Sequence, residues 1–126
     1  MQKKPTEAEL EVLLVLWRHG PCSVRFVNAA LSQNREVGYT TTLKMMQVMT
    51  EKGLLTRDTT QRTHLYEAAV KEEAIKANLV DKMVDTVFQG SPLQLAIQAL
   101  GHSKAKSEDL EALKAIIQQL EKQSKS

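Results

Sequence analysis

The stretch YTTTLKMMQVMTEKGLLTRDTTQRTHLYE, residues 39–67, decides the fold of this chain. In its first half, Thr42, Met45, Met46 and Met49 recur at the spacing of a helix and are predicted to form its inward stripe. A glycine next to the last periodic residue is a common helix terminator, because it adopts the left-handed conformation without steric cost. The pattern therefore predicts a helix over about residues 39–52 that ends at Gly53.

The second half of the same stretch no longer has the helical spacing. Residues 54–57 and 63–67 are two short runs rich in Leu, Thr and Tyr, and we interpret them as strands. The residues between them, 58–62, are all polar and predict a turn. A short β-hairpin is therefore expected directly after the helix.

Two further helices are predicted upstream of this stretch. Thr6 and Glu9 have the spacing of a capping box, and Gly20-Pro21 ends the first helix. Ser23 is placed to cap a second, shorter helix. Three helices followed by a hairpin are the layout of a winged helix-turn-helix, so the sequence predicts a mostly α fold with a small β-hairpin wing (α+β) over residues 1–69.

Residues 70–126 are predicted to be helical and to pair with a second copy of the chain. Helices are expected over about 71–88, over 92–100 ending at Gly101, and in a last segment after residue 106. One small chain has little to cover so much apolar surface, which favours a homodimer. The residues predicted for dimerisation are Leu79, Met83, Val87, Leu95, Leu110, Leu113, Ile117 and Leu120.

The helix over residues 39–52 carries a polar stripe suited to the DNA major groove. Thr40, Thr41, Lys44 and Gln47 lie on one face, since residues three and four apart are neighbours on a helix. Gln47 can pair with adenine, Lys44 can contact a phosphate or guanine, and Leu43 can pack on thymine methyl groups. The alternative is that the threonines merely start the helix and that Lys44 and Gln47 are solvated.

The predicted turn of the hairpin is basic and favours the DNA-binding alternative. Arg57 and Arg62 flank a turn without an apolar residue, and such a wing contacts phosphates or the minor groove over about residues 57–63. The formal net charge is only +2. The whole excess lies in residues 1–69, which hold nine basic and seven acidic side chains.

An ordered series of motifs resembles the penicillinase-repressor (BlaI/MecI) family. The matching residues are Pro5 to Leu13, Leu16-Trp17, Gly20-Pro21, Val24-Arg25, Tyr39-Thr40-Thr41 and Lys52-Gly53-Leu54-Leu55, with Arg62 and Tyr66 extending the match. The resemblance implies a homodimeric repressor that binds double-stranded DNA through its N-terminal winged helix and dimerises through its C-terminal helices. The two-fold symmetry of such a dimer predicts an inverted-repeat operator. It also implies that Thr40, Thr41 and Lys44 lie in the recognition helix and Arg62 in the wing. Many relatives have Arg where this chain has Val48.

The residues that carry the family's known switches are absent. The β-lactam-responsive members are cleaved at an Asn-Phe bond, whereas the matching stretch here is Leu93-Gln94-Leu95-Ala96-Ile97. The paired Cys-x-Cys motifs of copper-responsive relatives are also missing. Cleavage near Ala96-Ile97 by a membrane sensor metalloprotease is the remaining expectation, and the inducing signal is left open.

Two alternative functions stay open at this point. The C-terminal apolar seam is also compatible with a helical protein-interaction module that does not bind DNA. The single cysteine, Cys22, could make the chain a redox-sensing regulator if its thiolate were exposed near a cation such as Arg25. A small packed side chain is the more common role of such a residue.

Catalysis and cofactor binding are not expected. The chain has no phosphate-cradling glycine loop and no Gly-x-Ser-x-Gly motif, so we expect no enzyme and no small-molecule substrate. His19, His64 and His102 lack ligand spacing, and one cysteine cannot form a cysteine cluster, so no metal or other cofactor is expected. With no secretory signal or membrane-spanning run, the expected compartment is the cytoplasm.

Overall fold

The computed structural model describes residues 4–102 and 106–124 of the chain. The elements, in order, are α1 (Glu7–His19), α2 (Val24–Leu31), α3 (Tyr39–Lys52), β1 (Leu55–Asp58), β2 (Leu65–Ala68), α4 (Glu72–Thr86), α5 (Pro92–His102) and α6 (Ser107–Ser124). They form two compact units, Met1–Asn78 and Leu79–Ser126, which divide within α4. The mostly helical fold with a small hairpin is confirmed. A functional boundary between residues 69 and 70 stays a prediction.

Local signals place the ends of α1 and α2 as expected. The Thr6 hydroxyl accepts from the Glu9 amide at 3.2 Å, and the Thr6 amide donates to the Glu9 carboxylate at 2.9 Å, so both bonds of the capping box are present. Gly20, with φ of 80°, ends α1. The Ser23 hydroxyl accepts from the Phe26 amide at 3.1 Å and caps α2.

The helix α3 has the predicted bounds. Gly53 follows it with φ of 85°, a left-handed conformation in which a glycine carries no steric penalty. Thr42, Met46 and Met49 are buried on its inner side, whereas Met45 is only partly buried. The inward stripe of α3 is therefore narrower than the sequence suggests.

The hairpin strands are displaced from their predicted positions. The predicted strands 54–57 and 63–67 are corrected to β1 and β2, which pair antiparallel with Leu55 opposite Ala68. Leu54 precedes β1: its amide donates to the Met49 carbonyl at 2.9 Å and completes the end of α3, while its carbonyl accepts from the Ala69 amide at 2.8 Å. The connection is longer than predicted and covers residues 59–64.

One core joins the three helices to the hairpin. Its buried apolar residues include, from α1, Val12, Leu13 and Leu16; from α2, Val24, Val27 and Leu31; from α3, Met46 and Met49; and from the hairpin region, Leu54, Leu55 and Tyr66. Trp17 Nε1 donates to the Val70 carbonyl at 3.0 Å and ties the segment after β2 to α1. Burial of these side chains therefore holds the hairpin against the helices.

The helices of the second half differ from prediction at their ends. The predicted end of a helix at Gly101 is wrong, because α5 runs through Gly101, which does not take a positive φ. The first C-terminal helix covers Glu72–Thr86 rather than 71–88. Beyond it, Gln89 and Gly90 have φ of 53° and 82°, and two consecutive left-handed residues cannot continue a helix.

Candidate nucleic-acid interface

The polar stripe predicted on α3 lies on its outer side. Thr40, Thr41, Lys44 and Gln47 are all exposed, while Leu43 is partly buried against the core. The structure therefore brings the four polar side chains together on one accessible face and leaves Leu43 at its edge. The major groove of DNA admits an α-helix, so α3 could present these side chains to base edges.

The N-terminus of α3 is suited to a negatively charged partner. Its N-cap, Gly38, offers no side chain to the free amides of the first turn, and that turn contains no acidic residue. Unpaired amides and the helix dipole make such an end attractive to anions. The only carboxylate of α3, Glu51, lies in its last turn, away from this end.

A polar cluster that the sequence does not reveal fixes the start of α3. Asn28 of α2 donates from one amide nitrogen to the Val37 carbonyl and to Thr42 Oγ1, both at 2.9 Å. The Thr42 hydroxyl, buried in α3, donates to the Gly38 carbonyl at 3.3 Å. These bonds set the position of α3 relative to α2, although an asparagine within a helix gives no sequence signal for that role.

Asp58 orders the turn of the wing. The Asp58 carboxylate accepts from the Thr60 amide at 2.9 Å and from the Thr60 hydroxyl at 2.7 Å, which forms a tight turn. These hydrogen bonds hold the pKa of Asp58 below its usual value, with a smaller contribution from His64. Residues 59–64 are all exposed, so Arg62 is presented on a structured loop.

The two arginines predicted for the wing do not lie in one place. Arg62 lines a cleft together with Tyr39 and Leu43 of α3. Arg57 instead lines a separate hollow with Pro21 and Glu67. The structure therefore groups Arg62 with Tyr39 and Leu43, at the edge of the polar face of α3, and places Arg57 in a different hollow.

Residues outside the predicted DNA-binding set also line the cleft beside Arg62. It encloses about 390 Å³, and the start of α2 contributes Ser23, Val24 and Arg25 to its lining. His64 of the wing lines it as well. The sequence does contain one signal for Arg25: it is a basic residue in the first turn of α2, and this helix, VRFVNAAL, contains no acidic residue.

A backbone bridge connects the wing to the segment before α2. The Cys22 amide donates to the Tyr66 carbonyl at 2.9 Å, and the Tyr66 amide donates to the Cys22 carbonyl at 2.8 Å. Cys22 thus adds a one-residue antiparallel bridge to the hairpin. This pairing attaches the base of the wing to the start of α2.

The side chain of Cys22 lies in an environment unlike that of a reactive thiol. It is buried, and its Sγ donates to the Gly20 carbonyl at 3.1 Å. Burial raises the pKa of the thiol, whereas redox-sensing cysteines are exposed and have a lowered pKa. The structure therefore disfavours the redox alternative.

The residues predicted for dimerisation leave much of their surface uncovered. Leu79, Leu95 and Leu113 are half-buried, while the others are exposed: Met83, Val87, Leu110, Ile117 and Leu120. No described residue of α6 is buried, although this helix has 18 residues. Leu93, Ile97 and Ile116 extend the exposed apolar surface beyond the predicted set.

The described parts of the chain contain neither a metal-ligand cluster nor a membrane helix. No group of three or more His, Cys, Asp or Glu side chains that could hold a metal occurs within residues 4–102 and 106–124, and the side chain of His102 lies outside the description. Over the same residues, no helix combines the length and apolar character needed to cross a bilayer.

Comparisons with known proteins give a consistent match. The family model described as penicillinase repressor matches residues 5–119. A curated relative, the transcriptional regulator BlaI of Mycobacterium tuberculosis, is 30% identical over 118 residues, which cover 91% of this chain and 83% of the relative.

Two solved structures also resemble the chain. The solution structure of the DNA-binding domain of the repressor BlaI is 30% identical, with a TM-score of 0.50, over 57% of this chain and 90% of that one. The crystal structure of AbfR of Staphylococcus epidermidis is 14% identical, with a TM-score of 0.47, over 96% of this chain and 75% of that one.

Proposed function

The chain belongs to the penicillinase repressor family, and from this premise we propose that it is a transcriptional repressor that binds operator DNA. One observation supports the proposal most strongly. The exposed polar stripe of α3 begins at an uncapped helix N-terminus and lies beside a cleft lined by Arg62 of the wing. A helix that enters the major groove, flanked by basic residues that contact phosphates, is a common arrangement for duplex recognition.

In this proposal α3 is the recognition helix and enters the major groove. Gln47 pairs with adenine and Lys44 contacts a phosphate or guanine, while Thr40, Thr41 and the edge of Leu43 contact base edges and thymine methyl groups. Arg62 contacts the phosphate backbone or the minor groove. Arg57 lies in a different hollow and is assigned to a phosphate farther along the duplex.

We further propose that two copies bind an inverted repeat. The exposed apolar side chains of α4, α5 and α6 support a homodimer, since a monomer would leave them in water. Two recognition helices would then occupy successive major grooves, about 34–36 Å apart.

Residues 1–69 serve as the DNA-binding part and 70–126 as the dimerisation part. The site of action is the cytoplasm, and the proposal assigns no catalytic step or cofactor to the chain.

A gel-shift titration at two salt concentrations tests the function. The full chain is titrated on a random-sequence duplex and on a duplex selected from a randomised pool. A repressor binds both, prefers the selected duplex, and loses affinity steeply as salt rises, because phosphate contacts release counterions. A protein-interaction module gives no shifted band at either salt concentration, and that result would contradict the proposal.

Two substitutions test the assigned face. Lys44→Ala and Arg62→Ala should each weaken binding and reduce the salt slope by about one contact. Wild-type binding by both variants would show that the DNA face lies elsewhere.

Relief of repression is proposed to follow loss of the dimer. A half-site alone binds weakly, because the second half-site gains from being bound intramolecularly. A membrane sensor metalloprotease that cuts between Ala96 and Ile97 would have this effect. Both residues are exposed but lie inside α5, so the helix must unwind locally before it fits a protease. A discrete fragment ending at Ala96 in induced cells is the expected observation, and an intact chain after induction would contradict this route.

A further inference from the structure

The cleft between the start of α2, the start of α3 and the wing is lined by two arginines from different elements. Arg25 comes from the first turn of α2 and Arg62 from the wing, and His64 lies in the same lining. None of the described residues that line the cleft carries a carboxylate. The lining therefore offers positive charge without an internal counter-charge.

Neither arginine is committed to another group. In the described part of the chain, neither Arg25 nor Arg62 takes part in an ion pair. Arg35 shows the contrast, because both of its terminal nitrogens donate to the Glu11 carboxylate, at 3.0 and 2.8 Å. A guanidinium presents a planar fork of donors that fits the oxygens of a phosphate as well as those of a carboxylate.

We propose that this cleft is a clamp for a single backbone phosphate of the bound duplex, held jointly by Arg25 and Arg62. The inference rests on the proposed DNA binding and adds Arg25, an α2 residue, to the contact set. Tyr39 and Leu43 of α3 line the same cleft, so the clamped phosphate lies next to the first turns of the recognition helix. The clamp thereby sets the register of α3 in the groove without reading sequence.

The backbone holds the two arginines at a defined spacing. Cys22 precedes Arg25 by three residues, and Tyr66 follows Arg62 by four. The two hydrogen bonds between Cys22 and Tyr66 join these segments at the base of the cleft. The backbone segments that carry the two arginines are therefore already joined in the free protein.

The first test uses the full chain on a duplex selected from a randomised pool. Arg25→Ala should weaken binding about tenfold, as expected for loss of one charge-assisted hydrogen-bonding group, and the loss should be similar on a random duplex. Arg25→Lys should recover only part of it, because the ammonium lacks the fork. Arg18→Ala is the matched control: it removes the same charge from the exposed last turn of α1 and lines no part of the cleft.

The second test identifies the phosphate. Each phosphate of the selected duplex is replaced in turn by an uncharged methylphosphonate, and binding is measured for wild type, Arg25→Ala and Arg62→Ala. One replacement should weaken wild type yet cause little further loss in either variant, and it should be the same position for both. If Arg25→Ala and Arg62→Ala each become insensitive to methylphosphonate replacement, but at two different phosphates, the clamp is overturned.

A third arm separates a DNA phosphate from free phosphate. The Nε resonances of Arg25 and Arg62 are followed by NMR during titration with duplex and, at equal ionic strength, with inorganic phosphate. Shifts of both resonances with duplex support the clamp, and shifts with inorganic phosphate alone overturn it as a DNA contact. If wild type fails to bind any duplex, the proposed function itself fails. If wild type binds and Arg25→Ala matches Arg18→Ala, only the clamp fails.

Discussion

Lys52 Nζ at the end of α3 lies 2.8 Å from Glu9 Oε2 in the first turn of α1. The other oxygen of the same carboxylate accepts from the Thr6 amide in the capping box. Glu9 is only 4% exposed, so one buried carboxylate both caps the start of α1 and holds the far end of α3. The sequence shows the first role by spacing, whereas the second joins residues 43 positions apart.

Replacement of Glu9 should destabilise the first unit. Glu9→Ala removes the capping-box acceptor and leaves Lys52 without its partner, which should cost about 1–3 kcal/mol in the free energy of unfolding, measured in urea. Glu11→Ala is the control, because its carboxylate pairs with Arg35 at the surface and should matter less. If Glu9→Ala and Glu11→Ala lower the free energy of unfolding equally, the burial of Glu9 does not strengthen its interactions.

The same carboxylate should make stability depend on acid pH. Burial acts to raise the pKa of Glu9, but the hydrogen bonds from Lys52 and Thr6 outweigh it and hold the pKa below the ordinary value. A carboxyl with a lowered folded pKa stabilises the fold above its unfolded pKa of about 4.3, and that stability is lost as pH falls through the folded value. The free energy of unfolding, measured in urea, should therefore fall less steeply from pH 6 to pH 3 for Glu9→Gln than for wild type. Parallel curves would contradict the assignment.

Cys22 should be inert in the folded protein. Its burial and raised pKa predict slow labelling by a thiol reagent under native conditions and fast labelling in denaturant. Duplex binding should not change after treatment with a mild oxidant. Oxidant-sensitive binding that disappears in Cys22→Ala would revive the redox alternative.

Gln89 should be a site of stored backbone strain. Its φ of 53° is unfavourable for a side chain with a Cβ, so Gln89→Gly should raise the free energy of unfolding by about 0.5–1 kcal/mol. Gln98→Gly, within α5, is the opposite control and should lower it by about 1 kcal/mol. Thermal unfolding of the two variants measures both effects, and a destabilised Gln89→Gly would show that this turn is not strained.

The exposed seam of α6 should set the oligomeric state. Ile117→Asp combined with Leu120→Asp places charges on the proposed dimer face and should give a monomer in sedimentation equilibrium, with weaker binding to an inverted repeat. Gln119→Asp puts a charge on the opposite side of the same helix and should leave the dimer intact. A dimer that survives the double substitution would place the interface elsewhere.

The sequence predicts features that depend on neighbours along the chain and misses those that depend on approach in space. The cap at Thr6 and the stop at Gly53 follow from residues within one helical turn, and both are confirmed. Asn28 gives no local signal, because its partners belong to the next loop and helix.

The same distinction explains the errors at element ends. Leu54 has the pattern of a strand residue, but its amide is already used to complete α3. Glycine commonly ends a helix, but Gly101 lies inside α5, because a glycine can remain helical at modest cost. The cleft that unites Arg25 with Arg62 appears only when the wing is placed against α2.

The pairing of Cys22 with Tyr66 has a thermodynamic consequence for recognition. Because two main-chain bonds join the wing to the segment before α2, little conformational entropy remains to be lost there when a duplex binds. Affinity gained in this way does not depend on which bases are present. The amide proton of Tyr66 should accordingly exchange slowly with solvent in the free protein and show little added protection in the complex.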